Sequence, residues 1–298
     1  DRPRGGGALM DPRLTPATDR VALAGAGIAR PTLTEGTAMR VAVPLVDLDR
    51  EPNGRRDRQL IFGADVTVIE RRHDRAFVQA AADGYCGWIG MAALTAERPA
   101  ITHRVAAPAT HVYPKATMKE RESASLTLGA RLVVAGIDGV FAELVTGGFV
   151  PVQHLTDTPA DDPAAVALSL VGTPYLWGGN SRGGIDCSGL AQAALWAAGI
   201  ACPGDSDLQR AAFPEVEDIS RGDLLFWPGH VAMALDERRM VHATASAMAV
   251  IVEDIAAAIA RIDAAGDGPF LGARRPPARA QGGAAQSAPS LDGRVAFP

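Results

Sequence analysis

The sequence predicts an α+β protein, in which two small β-rich units precede a mixed domain with a cysteine at the first turn of a helix. Three observations predict it. Short β-prone runs divided by Gly, Asp and Pro turns fill the first half and recur as an internal repeat. An apolar helical run, Leu190-Ala191-Gln192-Ala193-Ala194-Leu195-Trp196-Ala197-Ala198, follows a Gly-rich loop that ends at Cys187. Strand-like segments separated by tight turns then follow beyond Arg221. At 298 residues, 47% of them apolar, the chain can build two or three domains with real cores.

The repeat sets the first boundaries. Val41-Ala42-Val43-Pro44 is echoed by Val105-Ala106-Ala107-Pro108, and Leu60-Ile61-Phe62-Gly63-Ala64 by Leu126-Thr127-Leu128-Gly129-Ala130. Asp83-Gly84-Tyr85-Cys86-Gly87-Trp88-Ile89-Gly90 answers to Thr146-Gly147-Gly148-Phe149-Val150-Pro151-Val152. Two units of about 60 residues are expected, each a small antiparallel barrel, over residues 31–98 and 99–157. Residues 1–30 form an N-terminal extension. Its start, Asp1 to Met10, is charged and Gly-rich without the apolar stretch of a secretory signal, and Met10 is a candidate natural start. Asp161-Asp162-Pro163 reads as the cap and first turn of a helix through Leu170, opening a domain over residues 158–275. Ile255, Ile259 and Ile262 mark an amphipathic helix, and residues 276–298, rich in Pro, Ala, Gly, Gln and Ser, read as a flexible tail.

Composition removes several functions. A formal charge of −5 gives no support for nucleic-acid binding, and Arg274, Arg275 and Arg279 are too sparse a cluster to reverse that. No run approaches the ~18–20 apolar residues of a membrane span. Cys86, Cys187 and Cys202 are widely spaced, with no C-x-x-C, so neither a disulfide framework nor a zinc site is expected. Such usage suits a reducing compartment, and a cytoplasmic protein without metal or cofactor is the expectation. Cys86 and Cys202 read as packing residues.

Cys187 reads as a nucleophile. Asp186 is the N-cap, and the partial positive charge and unpaired N–H groups of a helix start favour the thiolate. The same amides can hold an oxyanion during acyl transfer. Free cysteine is commonly a small buried hydrophobe, but Gly183, Gly184 and Asp186 before it and Ser188-Gly189 after it argue against that fate. His230 opens the strand Val231-Ala232-Met233-Ala234-Leu235 after the Pro228-Gly229 turn, and His242 lies in Met240-Val241-His242-Ala243-Thr244. With the intervening turn centred near Asp236, the two histidines fall on one rung and one face of an antiparallel pair. His230 then serves as base and His242 orients it.

These residues carry a family resemblance. Gly172-Thr173-Pro174-Tyr175-Leu176-Trp177-Gly178-Gly179, Asp186-Cys187-Ser188-Gly189-Leu190, Gly222-Asp223-Leu224-Leu225-Phe226, Gly229-His230-Val231-Ala232 and Val241-His242-Ala243 together resemble the NlpC-type cysteine peptidases, papain-like enzymes that cut bacterial cell-wall peptides. The resemblance covers residues from about 160 to 275. It implies Cys187, His230 and His242 as the catalytic set, Tyr175 as a hydrogen-bonding neighbour of the nucleophile, and Asp186, Ser188, Ser206 and Trp177 as substrate contacts. Gly204 departs from it, since many relatives carry arginine there. The two β units resemble bacterial SH3-like domains, which often precede such catalytic domains; the first then closes one end of the groove. That arrangement admits substrates with a free amino terminus, with Tyr85 and Asp57 as candidate partners of the amine.

The implied reaction is hydrolysis of the γ-D-glutamyl–diaminoacyl bond of short murein peptides beginning with L-Ala, in wall recycling. The murein peptide is the one partner implied. Three alternatives stand beside it: an endopeptidase acting on intact peptidoglycan, an amidase or acyltransferase with the same Cys-His-His set, and a non-catalytic wall-binding protein. The diamino acid is left open.

Overall fold

A computed structural model describes residues 11–278. Asp1 to Met10 and the tail from residue 279 onward lie outside the described residues. The first β unit is one antiparallel sheet whose strands run Arg56–Ile61, Leu45–Asp49, Cys86–Gly90, Arg75–Ala80, Asp65–Arg72, Thr37–Val41 and Leu94–Thr95 from edge to edge. Alternating residues such as Val66, Val68, Val78 and Ile89 fill its own core. The second unit repeats the element order in smaller pieces. His103–Val105 sits between Arg131–Leu132 and Leu155–Thr156, Ala109–Val112 pairs with Ala124–Thr127, and Val134–Asp138, Phe141–Leu144 and Phe149–Pro151 form a third sheet. A separate cluster around Val105, Leu126, Leu132 and Val150 is its core. Even the short 3₁₀ turn before the last strand recurs, as Met91–Ala93 and Val152–His154.

The expected barrels do not close. The first unit is an open ladder, and the second divides among three small sheets. The edge strand Arg56–Ile61 is covered instead by the neighbouring domain. Gln59 N donates to Asn180 Oδ1 (3.2 Å), Asn180 N donates to Gln59 Oε1 (3.2 Å), and Arg56 donates to the Trp177 carbonyl (2.9 and 3.1 Å). An exposed strand edge needs such cover, and here it joins two domains. Gly178 permits the close approach: it has φ +69°, and a Cβ there would lie 2.6 Å from the Asp57 carbonyl oxygen.

The extension is not a loose leader over its described part. Val21–Leu23 pairs in parallel with Thr32–Thr34, and Val21 and Leu23 pack on Ile69, Phe77, Cys86 and Trp88. Cys86 is therefore a packing residue, as is Cys202 in the core of the mixed domain.

That domain is built on a six-stranded antiparallel sheet ordered Glu215–Val216, Ala273–Arg274, Leu224–Trp227, His230–Ala234, Arg239–Thr244 and Ala249–Asp254. Helices α1 (Pro163–Ser169) and α2 (Cys187–Ala197) cover one face through Leu190, Ala194, Phe226, Val231, Met233 and Val241. A short helix α3 (Ser206–Ala212) follows, and α4 (Ile255–Ala265) covers the other face against Leu225, Trp227, Ala232 and Met240. The expected cap of α1 is present, Asp162 accepting from Ala164 N, and Asp254, which the sequence reading did not single out, caps α4 by accepting from Ala257 N. Among the described residues, no helix is long and apolar enough to cross a membrane.

Candidate active site

Cys187 begins α2 as its spacing requires. Asp186 is the N-cap and accepts three hydrogen bonds, from Gly189 N (2.7 Å), Gly178 N (2.8 Å) and Ser188 Oγ (3.0 Å). The sulfur lies 4.0 Å from the Gly229 carbonyl, next in sequence to His230. The ladder between the strands of His230 and His242 ends at Met233–Val241, so the Val231 N–H is free to favour the sulfur's anion.

The thiol is nonetheless protonated at rest. Burial, then the Asp186 carboxylate, push it up to about 12, outweighing the amides of Val231, Ser188 and Cys187. The helix start therefore does not yield the standing thiolate that its dipole alone favours. Burial likewise raises Asp186, despite its three donors.

The histidines meet, but not on one rung. The pairing centres on Glu237 rather than Asp236, because Asp236 accepts from both Arg238 N and Arg239 N and shapes the turn around itself. His230 thus lies diagonal to His242, still on the same face, with His230 Nε2 at 2.9 Å from His242 Nδ1. His242 is fully buried, and its Nε2 is 3.1 Å from Glu253 Oε2. Arg261 on α4 donates to both oxygens of Glu253 (2.9 and 2.7 Å) and holds that carboxyl below its ordinary range.

This relay fixes the tautomers. The Glu253 carboxylate only accepts, so His242 carries its proton on Nε2 and accepts at Nδ1. His230 must then carry its proton on Nε2, which leaves Nδ1 as its basic nitrogen. Burial depresses both rings, His230 to about 3 and His242 to about 4, so both are neutral near pH 7. In an unfolded chain each would titrate near 6.5. Their contribution to stability is therefore present above pH 6.5 and is lost as pH falls toward 3. Between pH 7 and 5 each is expected to remove about 2 kcal/mol. A His230→Asn, His242→Asn double variant is expected to flatten the dependence of Tm on pH over that window; an unchanged slope would contradict the assignment.

The catalytic cleft, of about 700 Å³, brings the other expected residues together. Tyr175, Trp177, Asp186, Ser188, Ser206, Tyr85 and Asp57 line it with Cys187. Trp177 is 71% exposed at the rim. Burial and the nearby Cys187 and Asp186 push the Tyr175 hydroxyl up to about 12. Tyr85 is buried and donates to Asp205 Oδ2 (3.0 Å), while Asp57 pairs with Arg50 (2.9 Å). The cleft wall is thus shared between the first β unit and the mixed domain.

Four features escaped the sequence reading. Glu253 had no signal of its own, since only register places it behind His242. Asp205 stood in the same motif as Ser206 and adopts φ +57°, a strained conformation for a non-glycine residue. Arg50 lines the cleft opposite. Arg13, from the extension, reaches Asp205 (2.8 Å) and Asp207 (2.6 Å) while held by Asp11 (2.6 Å). Among the described residues, no group of His, Cys, Asp and Glu has the arrangement to hold a metal ion.

The sequence profile of the NlpC/P60 family matches residues 172–261, and that of the bacterial dipeptidyl-peptidase Sh3 domain matches residues 48–94. Dipeptidyl-peptidase 6 of Lysinibacillus sphaericus is 44% identical over 82 residues, 26% of this chain and 30% of that protein. The gamma-D-glutamyl-L-lysine dipeptidyl-peptidase of Bacillus subtilis strain 168 is 29% identical over 212 residues, 62% of this chain and 71% of that protein. The chain thus spans less than a third of the first relative's length. The crystal structure of an NlpC/P60 family protein from Bacillus cereus ATCC 10987 superposes with a TM-score of 0.68 at 22% identity, covering 80% of this chain and 99% of that one. That likeness is one of fold.

Proposed function

We propose, from the match of residues 172–261 to the NlpC/P60 family, that the chain is a cysteine peptidase of that family and hydrolyses the γ-D-glutamyl–diaminoacyl bond of short murein peptides with a free N-terminal L-Ala. The observation that carries this reading is the cleft shared between the mixed domain, the first β unit and the Arg13 arm, with Asp57, Tyr85 and Asp205 among its lining residues. Carboxylates and a phenol there suit an ammonium group, and in this reading the first β unit closes that side and leaves room for few residues before the scissile bond. In this reading the second β unit is a further SH3-like domain, and the enzyme recycles soluble wall peptides in the cytoplasm.

Cys187 Sγ attacks the γ-carbonyl as its proton passes to His230 Nδ1, so the thiolate forms during attack and not before it. The amides at the start of α2 receive the oxyanion. His230 returns the proton to the departing amine, and water then hydrolyses the thioester with His230 as base. In this reading His242 and Glu253 hold the His230 ring through Nε2 and leave Nδ1 as the base for the thiol, so Glu253 acts as a positioning residue. Glu253→Ala is expected to lower kcat by about 10–100-fold with a smaller change in KM. It should also move the acid limb of the kcat profile, a readout that a merely structural role would leave in place.

Mass-spectrometric product analysis tests the whole proposal. The free tripeptide L-Ala-γ-D-Glu-diaminopimelate should release L-Ala-γ-D-Glu, and its N-acetylated form and intact sacculi should not. Equal cleavage of the blocked peptide or of sacculi would overturn the amine-anchored reading in favour of a wall endopeptidase.

A further inference from the structure

Beside the catalytic cleft lies a second cavity of about 490 Å³ that shares Ser206, Asp207 and Gly229 with it. Its other walls, from α3 and three strands of the sheet, present Arg210, Arg274, Glu215 and Trp227. Arg210 is half-buried and forms no ion pair among the described residues, and its Nε is buried without a hydrogen-bond partner. Arg274 Nη1 lies 2.7 Å from Glu215 Oε2, yet outside hydrogen-bond geometry, and Glu215 is mostly exposed. The indole Nε1 of Trp227 is a third buried donor without an acceptor. Donors left unpaired in a cavity are costly unless an acceptor arrives. A guanidinium fork matches a carboxylate better than any neutral group.

We propose that this cavity is the leaving-group subsite, and that Arg210, supported by Arg274 and Trp227, binds a carboxylate of the diamino acid released when Cys187 is acylated. The inference rests on the peptidase reading and deepens it. In that reading the Asp57 and Tyr85 side of the cleft takes the acyl half, while the sulfur lies against the carbonyl of Gly229, which with Ser206 and Asp207 forms the wall common to both spaces. The amine side of the scissile bond therefore leaves past Gly229 toward Arg210. Two carboxylates have this chemistry: the α-carboxylate of a C-terminal diamino acid, and the side-chain carboxylate of diaminopimelate, which lysine lacks.

The test compares kcat/KM for L-Ala-γ-D-Glu-X, with X as diaminopimelate, lysine, and the C-terminal amide of each, on the wild type and on Arg210→Met. Removing the bound carboxylate should lower wild-type kcat/KM by about 10–100-fold, and Arg210→Met should shrink that ratio to near unity. A loss on amidation in both series identifies the α-carboxylate; a loss from diaminopimelate to lysine identifies the side chain. Arg210→Lys, which keeps the charge and the aliphatic stem, should retain part of the discrimination and guards against a folding defect in the methionine variant. Equal wild-type rates on all four peptides, or an equal loss on all four in Arg210→Met, overturn the subsite alone. No hydrolysis of any of them overturns the peptidase reading and the subsite with it.

Discussion

Cys187→Ala is expected to lower kcat/KM on the free tripeptide by at least about 10⁴-fold, with Tm changed by only a few degrees. The large term is chemical. Of the other two cysteines, Cys86 also borders the cleft but its thiol donates to the Gly84 carbonyl, and Cys202 is buried in the core of the mixed domain; neither stands at a helix start. The small term is structural, because alanine suits the start of α2 and removes a single atom from the core. Cys187→Ser should be similarly inactive, since a hydroxyl gives up its proton to a neutral imidazole far less readily than a thiol does. The wild type should also show an acid limb in kcat/KM below about pH 5, because the neutral form of the histidine pair persists to low pH. Residual activity above about 1% in Cys187→Ala, checked in a preparation free of wild type, would remove Cys187 from the nucleophile's role.

Arg58→Met is expected to destabilise the protein by about 3–5 kcal/mol, the penalty for leaving a buried charge unpaired. Arg58 belongs to the first β unit, yet it is buried against the mixed domain. It pairs with Asp83 (2.6 Å), donates to Gln192 on α2, and lies over the Tyr85 ring at 4.9 Å. Gln192 in turn donates to Asp83 and to the Cys202 carbonyl. Removing the guanidinium leaves the Asp83 carboxylate without its cation between two domains. Chemical denaturation followed by tryptophan fluorescence measures the loss, and a change under 1 kcal/mol would refute it.

The same residue explains the departure at Gly204. A Cβ at 204 would run into the Arg58 guanidinium and sit 3.1 Å from Tyr85 Cδ2. Gly204→Arg alone should therefore be as damaging as Arg58→Met. Combined with Arg58→Ala it should recover part of the stability, because a guanidinium then returns to the same space. A double-mutant cycle reads that coupling directly.

The chemistry-bearing residues were legible one by one. Asp186 and Cys187 at a helix start, and two histidines on neighbouring strands, follow from local signals: capping, a Gly-rich loop, and turns that fix strand direction. The repeat was legible too, because similar turn glycines and apolar runs return after about 60 residues, and the element order does recur. What failed was whatever depends on how turns and edges close. The turn after Leu235 shifts the histidine register by one diagonal, since a single Asp side chain sets its centre. The barrels stay open, since an edge strand can be satisfied by another domain as well as by its own sheet.

The sequence by itself determined the reactive groups and the order of the elements that carry them, because helix starts, turns and strand periodicity are short-range properties. Tertiary structure alone decided the charge states and the company those groups keep. Desolvation leaves Cys187, His230 and His242 neutral, against what the helix dipole favours. Glu253, Arg261, Asp205, Arg58 and Arg13 reach the site from distant positions in the chain, and Arg210 lines a cavity with no ion-pair partner among the described residues. Burial and long-range pairing depend on the whole packed chain, and no local window of residues encodes them.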